Sequence, residues 1–241
     1  MLTIPRSWLL FYAWFGAINF VLALGYFVYF YITLTPEPIN QSLFSALLTN
    51  LGLFGLFATH HSVMARSGIK RWLKLYLKHD IERATYVWLA SILFFITCLL
   101  WRDLPGMVYS VTGWLYSLGL VIQCTGLAIT VLAASVLDPL ELAGIRQIMK
   151  THYQRESSES VNPLRIRGVY RLVRHPIYLG WVLFVFGTPN MSVTQLTFAT
   201  ISTCYIVLAI PWEESSMLES SGESYRRYQQ AVRWKMVPGI W

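Results

Sequence analysis

The sequence predicts an all-α polytopic membrane protein, a helical bundle of about six transmembrane helices whose last two form a tight helical hairpin. Apolar residues make up 55% of the 241 residues, charged residues only 13%, and the mean hydropathy is +0.48. Soluble domains carry about 25% charged residues, so half that fraction indicates a surface that faces lipid. The apolar residues also form runs long enough to cross a hydrocarbon core of about 30 Å as helices.

Four long apolar runs come first, and each predicts one membrane crossing. They are 8–32, 43–64, 84–101 and 107–137. The first run exceeds the apolar region of a cleaved signal peptide and predicts a retained helix. The fourth is longer than one crossing needs, which predicts a tilted or projecting helix.

The second half of the chain starts with a polar, basic segment and ends in a divided apolar stretch. Residues 154–162 of the basic segment are rich in Ser and Glu, which is typical of a mobile loop. The apolar stretch after Pro176 reaches Ile210 and is broken by Thr188-Pro189-Asn190, a turn signal. It predicts the helical hairpin, followed by a polar, amphipathic tail. We therefore expect a four-span region, 1–137, and a second region, 138–241, that contains the cytoplasmic connector, the hairpin and the tail.

The distribution of positive charge predicts the orientation. Of the 19 Lys and Arg residues, only Arg102 falls on one side of the predicted spans. Since cytoplasmic loops hold the excess of Lys and Arg, both termini are expected in the cytoplasm (N-in and C-in). Cytoplasmic loops that lie beside anionic membrane lipids account for the net charge of +7. A nucleic-acid partner is therefore not expected. Cys98, Cys124 and Cys204 lie in apolar runs without ligand spacing, so no metal site is expected.

The segment RLVRHPIYLG is the first polar cluster at the end of an apolar run. Pro176 is suited to the first position of a helix, which puts Arg174 and His175 at the helix mouth and Tyr178 about one turn inside. Gly180 permits close approach of a backbone or a ligand. The alternative is a positive-inside anchor with a snorkelling Tyr. For the cluster as a whole we favour a functional interpretation.

Two acids, Glu213 and Glu214, directly follow the last predicted span. Adjacent acids at a membrane boundary are costly unless they are solvated or paired. Because a tight hairpin returns both of its ends to one face, Arg174 and His175 are the expected partners. A solvated helix end is the alternative.

Two further features are weighed separately. Tyr225 and Tyr228 are three residues apart and share one helix face, which either packs over the hairpin mouth or anchors an interfacial helix. His60 and His61 are adjacent, so they point about 100° apart on a helix and do not indicate a two-ligand metal site. Two interpretations of this pair stay open. One imidazole accepts a proton beside a ligand cavity, or it is a polar core residue whose hydrogen bonds are satisfied.

The segments RHPIYLG, WEESSMLES and ESYRRYQQ together resemble the isoprenylcysteine carboxyl methyltransferase superfamily, membrane enzymes that use S-adenosylmethionine. The upstream segments LGLFGLFATHHSVMARSGIKRWL, IERATYVWLAS and LELAGIRQI resemble bacterial methanethiol S-methyltransferases and their NnrU-like relatives. The resemblance implies a small apolar thiol as methyl acceptor, with methanethiol converted to dimethyl sulfide. It also implies the bacterial inner (cytoplasmic) membrane, with the active site facing the cytoplasm.

The resemblance assigns roles to individual residues. It implies that the S-adenosylmethionine site contains His175, Tyr178, Glu213 and Glu214, with Tyr225 and Tyr228 closing it. Gly180, which permits close approach of a ligand, is expected in the same site. His61 and Arg174 are the expected catalytic residues, and Arg146 with Gln147 matches a GxRQ segment. Either Arg174 or His175 suits the carboxylate of the cofactor, and a Glu suits its amino or ribose group. His61 suits a thiol proton, since free thiols titrate near pH 8.5.

Three alternatives remain on the sequence alone. The same enzyme class would act on a prenylcysteine carboxylate, a phospholipid amine or another lipid-like substrate. A membrane reductase would use NADPH through a similar RHPxY-like segment, but such reductases normally have more spans. A transporter or other non-enzymatic membrane protein would be favoured by charged groups in mid-span, and this sequence has none.

Overall fold

The computed structural model describes residues 5–34, 42–76, 81–149 and 166–241. The predicted loop 154–162 and the cations Lys78, Lys150, Arg155 and Arg165 lie outside these residues. The elements in chain order are α1 (Arg6–Thr33), α2 (Leu43–Ala65), α3 (Ser67–Tyr76), α4 (Glu82–Leu99), β1 (Met107–Ser110), α5 (Gly113–Val136), α6 (Pro139–Leu142), α7 (Ile145–Met149), a 3₁₀ turn (Gly168–Arg171), α8 (Pro176–Phe186), β2 (Asn190–Ser192) and α9 (Val193–Ala231).

Long apolar helices dominate the part of the chain that is described. Five of them, α1, α2, α4, α5 and α9, have the length and hydropathy needed to cross a membrane. The first three predicted spans agree with α1, α2 and α4 to within two residues at each end. The prediction of an all-α polytopic membrane bundle is confirmed.

The first helix of the predicted hairpin is shorter than a membrane crossing. Helix α8 has 11 residues, about 16 Å at 1.5 Å per residue, against a hydrocarbon core of about 30 Å. The turn predicted at Thr188-Pro189-Asn190 is present, because α8 ends at Phe186 and α9 begins at Val193. Since Pro189 disfavours helical geometry at Thr188, α8 cannot extend through this turn.

The fourth predicted span, 107–137, was wrong in its first residues. Met107–Ser110 form β1, which pairs antiparallel with β2, and the helix begins only at Gly113. Val108 and Tyr109 belong to residue types that favour strands, and the pairing partner becomes available only when the hairpin turn folds back. The excess length is therefore a strand, and the expected tilt of a longer helix is not needed to accommodate it.

The chain contains two compact units that interleave along the sequence. Unit one comprises 1–29, 52–100 and 138–162, and unit two comprises 30–51, 101–137 and 163–241. In unit one, a core of Ala13, Ala84, Ile145 and Ile148 joins α1, α4 and α7. The predicted regions 1–137 and 138–241 remain a prediction.

Two glycines set the packing of α8 in unit two. A Cβ added to Gly126 of α5 would lie 2.6 Å from the carbonyl oxygen of Gly180 in α8, and one added to Gly180 would lie 2.6 Å from the carbonyl oxygen of Gly126. Small residues on both helices permit such backbone contact in membrane proteins. The contact fixes α8, and with it the RHPIY segment at its start, against α5.

Candidate functional site

Helix α8 begins as the sequence predicts, with Pro176 in its first turn. The main-chain N–H groups of Tyr178 and Leu179 both donate to the carbonyl oxygen of His175 at 3.1 Å. Proline fits here because the first amides of a helix have no intrahelical partner. His175 is thereby held at the helix mouth.

The chain segment before α8 is joined to the residues after α9. The main-chain N–H of Arg174 donates to the carbonyl oxygen of Trp234 at 2.9 Å, and that of His175 to Lys235 at 2.7 Å. The guanidinium Nη1 of Arg174 also donates to the carbonyl oxygens of Val232 at 2.8 Å and Arg233 at 2.9 Å. The sequence analysis missed these four tail residues, because main-chain acceptors leave no residue pattern.

Glu214 is the centre of a buried polar cluster. Its Oε1 accepts from Nε of Arg174 at 2.7 Å and lies 3.3 Å from Nε2 of His175, and its Oε2 accepts from Nε2 of Gln229 at 3.2 Å. The side chains of Arg174 and Glu214 are 7% and 10% exposed. Both carboxylate oxygens are thus satisfied within the protein, as a buried charge requires.

The neighbouring acid, Glu213, has a different environment. Its Oε1 accepts a hydrogen bond from the hydroxyl of Tyr178, and its Oε2 lies 3.6 Å from Nδ1 of His175. The side chain is 42% exposed, against 10% for Glu214, so Glu213 is the more accessible of the two acids. The pairing of the two acids with the RHPIY segment is present as expected, but the two acids are not equivalent.

His175 lies between the two acids. Its ring stacks on that of Tyr178 with centroids 5.4 Å apart and an interplanar angle of 4°. Burial lowers the pKa of His175, and although Glu214 acts in the opposite direction, Arg174 and Lys235 add to the lowering. The imidazole is therefore neutral near pH 7, so only one of its nitrogens donates a proton.

Tyr225 and Tyr228 share one face, as their spacing predicts. Both are buried with Val232, their ring centroids are 5.8 Å apart, and the hydroxyl of Tyr228 donates to the carbonyl oxygen of Tyr170 at 2.8 Å. Burial, together with the carboxylate of Glu213, raises the pKa of Tyr170 to about 12. Tyr170 was also missed by the sequence analysis, since it lies outside the three segments that carried the resemblance.

The other sequence-predicted residues have partners elsewhere. Gly180 contacts the α5 backbone. In unit one, the hydroxyl of Tyr86 lies 2.9 Å from Nδ1 of His61, Nη2 of Arg146 pairs with Asp138 at 2.5 Å, and Gln147 donates to the carbonyl oxygen of Glu141 at 3.1 Å.

Fold and site together define a class: a polytopic membrane protein with a guanidinium–imidazole–carboxylate cluster at the mouth of its last helical hairpin. Residues 70–232 match the family described as "Protein of unknown function (DUF1295)". The methanethiol S-methyltransferase of Mycobacterium tuberculosis is 33% identical over 88% of this chain and 89% of its own length, and that of Crocosphaera subtropica is 32% identical over 89% and 90%. A protein-S-isoprenylcysteine O-methyltransferase of Dictyostelium discoideum is 29% identical over 37% of this chain and 39% of its own.

The chain belongs to the DUF1295 family and, through its similarity to these enzymes over most of its length, to the methanethiol S-methyltransferase family of membrane methyltransferases. The resemblance stated from the sequence motifs is confirmed, as is the methyltransferase class. No solved structure gives a significant match to the chain.

Proposed function

We propose that the protein transfers a methyl group from S-adenosylmethionine to a small apolar thiol, converting methanethiol to dimethyl sulfide. The observation that carries this proposal is the similarity to enzymes named methanethiol S-methyltransferase over nearly nine tenths of the chain. The matched family segment also contains the cluster around Glu214.

The residues of the cluster fit such a cofactor. When bound, S-adenosylmethionine supplies a methyl group on a positively charged sulfur. Glu213, with its accessible carboxylate, suits an ammonium group or a ribose hydroxyl, and Tyr178 and His175 orient that carboxylate. Arg174 already donates to Glu214 and to two main-chain carbonyls, so we assign it to positioning Glu214, in place of the catalytic role that the sequence suggested.

We assign to His61 the removal of the proton from the thiol that accepts the methyl group. A thiol reacts as its thiolate, so the proton on sulfur must pass to a base before or during formation of the new carbon–sulfur bond. The His61 imidazole has a hydroxyl partner in Tyr86, 2.9 Å from Nδ1. Such a partner orients the imidazole, as a general base requires.

The proposed setting is the bacterial inner membrane, with both termini and the cofactor site facing the cytoplasm. The uneven distribution of Lys and Arg supports this orientation. Within unit two, the bond between Arg174 and Glu214 brings the start of α8 and the end of the apolar part of α9 to one level. The polar cofactor would enter from the cytoplasm, whereas an apolar thiol or a lipid-like acceptor would partition through the lipid.

The test is an acceptor panel with purified protein in detergent and methyl-labelled S-adenosylmethionine. Methanethiol, a prenylcysteine and phosphatidylethanolamine are supplied in separate reactions, and labelled dimethyl sulfide is expected from the first. Glu213→Gln should reduce that product, while Glu219→Gln, at an exposed position of the same helix, should not. Label transferred only to prenylcysteine or lipid would overturn the thiol assignment, and no transfer to any acceptor would overturn the function.

A further inference from the structure

The last long helix reverses direction at Gly222. Glu214 and Gln229 are 15 residues apart, which in an uninterrupted helix separates them by about 22 Å. Their side chains nevertheless meet at 3.2 Å between Nε2 and Oε2. Gly222, with φ 49° and ψ −122°, is the non-helical residue within α9, and its positive φ favours glycine. We name residues 223–241 after this turn the return segment.

The return segment is attached to the site at several points. The hydroxyl of Tyr228 contacts the main chain of Tyr170, and the carbonyl oxygens of Val232 and Lys235 accept from the segment before α8. Met236 packs with Ile206 and Ile210 of α9. The contact of Gln229 is of a different kind, because its side-chain amide donates directly to the carboxylate of Glu214 in the candidate site.

We propose that Gln229 is a positioning residue for cofactor binding, an inference that rests on the proposed function. Arg174 and His175 hold Oε1 of Glu214, and Gln229 holds Oε2. With both oxygens held, the Glu214 carboxylate cannot rotate, and the turn of α9 that bears it is fixed. Glu213 is the adjacent residue on that turn, so its accessible carboxylate is directed by the same contacts.

The chemistry of the contact gives a distinctive test. The charged and titratable groups that face Glu214 are Arg174 and His175 before α8, Tyr225 and Tyr228 in the return segment, and Glu213 beside it. Gln229→Glu adds a second carboxylate opposite Oε2. Two carboxylates at this distance avoid repulsion by sharing one proton, so the contact is lost at high pH and regained at lower pH. Gln229→Leu has no donor at either pH.

The experiment measures binding of S-adenosylhomocysteine and S-adenosylmethionine to the full chain in detergent at pH 8 and pH 6, with thermal unfolding in parallel. Gln229→Leu should raise both dissociation constants by about tenfold, the effect of losing one hydrogen bond to a charged group. Gln229→Glu should bind as weakly as Gln229→Leu at pH 8, and its dissociation constants should return towards the wild-type values at pH 6. Gln230→Leu, at the adjacent exposed position, should bind like wild type.

Wild-type binding by Gln229→Leu, equal losses in Gln230→Leu, or no recovery of Gln229→Glu at pH 6 would each overturn the positioning role. A wild-type protein that binds both probes but methylates no acceptor would refute the proposed function. The binding comparison of the Gln229 variants could still be interpreted in that case. A wild type that binds neither probe would overturn both.

Discussion

The guanidinium Nε of Arg174 donates to Oε1 of Glu214 at 2.7 Å, across 40 residues of sequence. The bond joins the segment before α8 to α9 and so closes the mouth of the hairpin. Both side chains are almost fully buried, which means that each charge depends on the other for compensation.

Breaking this pair should be costly. We expect Glu214→Leu or Arg174→Met alone to lower the free energy of unfolding by about 3–5 kcal/mol, because an unpaired charge remains buried. The matched control is the pair of Arg227 and Glu223, which is 3.6 Å apart with side chains 78% and 63% exposed. Removing Glu223 should cost at most about 1 kcal/mol. Denaturant unfolding in detergent measures both, and similar losses at the two pairs would contradict the assignment.

The two adjacent acids should separate binding from stability. Glu213→Gln should raise the dissociation constant for S-adenosylmethionine by about tenfold with little change in stability, since its carboxylate is partly accessible and its loss removes about one charged hydrogen bond. Glu214→Gln should lower stability as well, because its partners are buried. Calorimetric titration and thermal unfolding on the same samples check this, and indistinguishable variants would count against unequal roles.

The stability of the protein should fall with decreasing pH through His175. Burial lowers the pKa of His175 below its ordinary value of 6.5, so below about pH 6.5 the unfolded chain binds a proton that the folded chain does not. Protonation therefore favours unfolding as the pH falls. Unfolding midpoints measured between pH 7.5 and pH 5 should drop further in wild type than in His175→Gln. Parallel pH profiles would show that His175 does not contribute.

The contact between α5 and α8 should tolerate no side chain at Gly126. A Cβ there would lie 2.6 Å from the carbonyl oxygen of Gly180, and forced overpacking costs about 1–3 kcal/mol. We expect Gly126→Ala to destabilise unit two and to weaken cofactor binding, because α8 carries the RHPIY segment. Gly52→Ala is the control, since a Cβ at Gly52 meets no atom within 4 Å. Equal unfolding and binding data for the two variants would refute the packing argument.

If His61 removes the proton of the acceptor thiol, substitution of His61 should matter least for thiols of low pKa. His61→Asn should reduce methylation of methanethiol, while a thiol that is already ionised at the assay pH should be methylated at nearly the wild-type rate. Binding of S-adenosylmethionine should be unchanged. An equal fractional loss with both thiols would exclude His61 as the base and leave it a structural partner of Tyr86.

Some features could be read from the sequence because their physical causes are local. The first three spans follow from the length of apolar runs, and the end of α8 follows from the backbone restriction imposed by Pro189. The pairing of Glu213 and Glu214 with Arg174 and His175 followed from the cost of unpaired acids at a membrane boundary. Other features depend on distant partners: Met107–Ser110 became a strand because β2 was available to pair with it.

Hydropathy and charge, which are properties of the chain alone, predicted a membrane protein with a polar cluster at its last hairpin, and the order of the motifs indicated a resemblance to membrane methyltransferases. Contacts between distant parts of the chain, in contrast, enclose Glu214 and leave Glu213 more exposed, and they bring Gln229 and the carbonyl groups of residues 232–235 to the cluster. The reason is the reversal at Gly222. The backbone conformation of Gly222 directs the return segment back along α9, and this direction decides which of its residues reach Glu214.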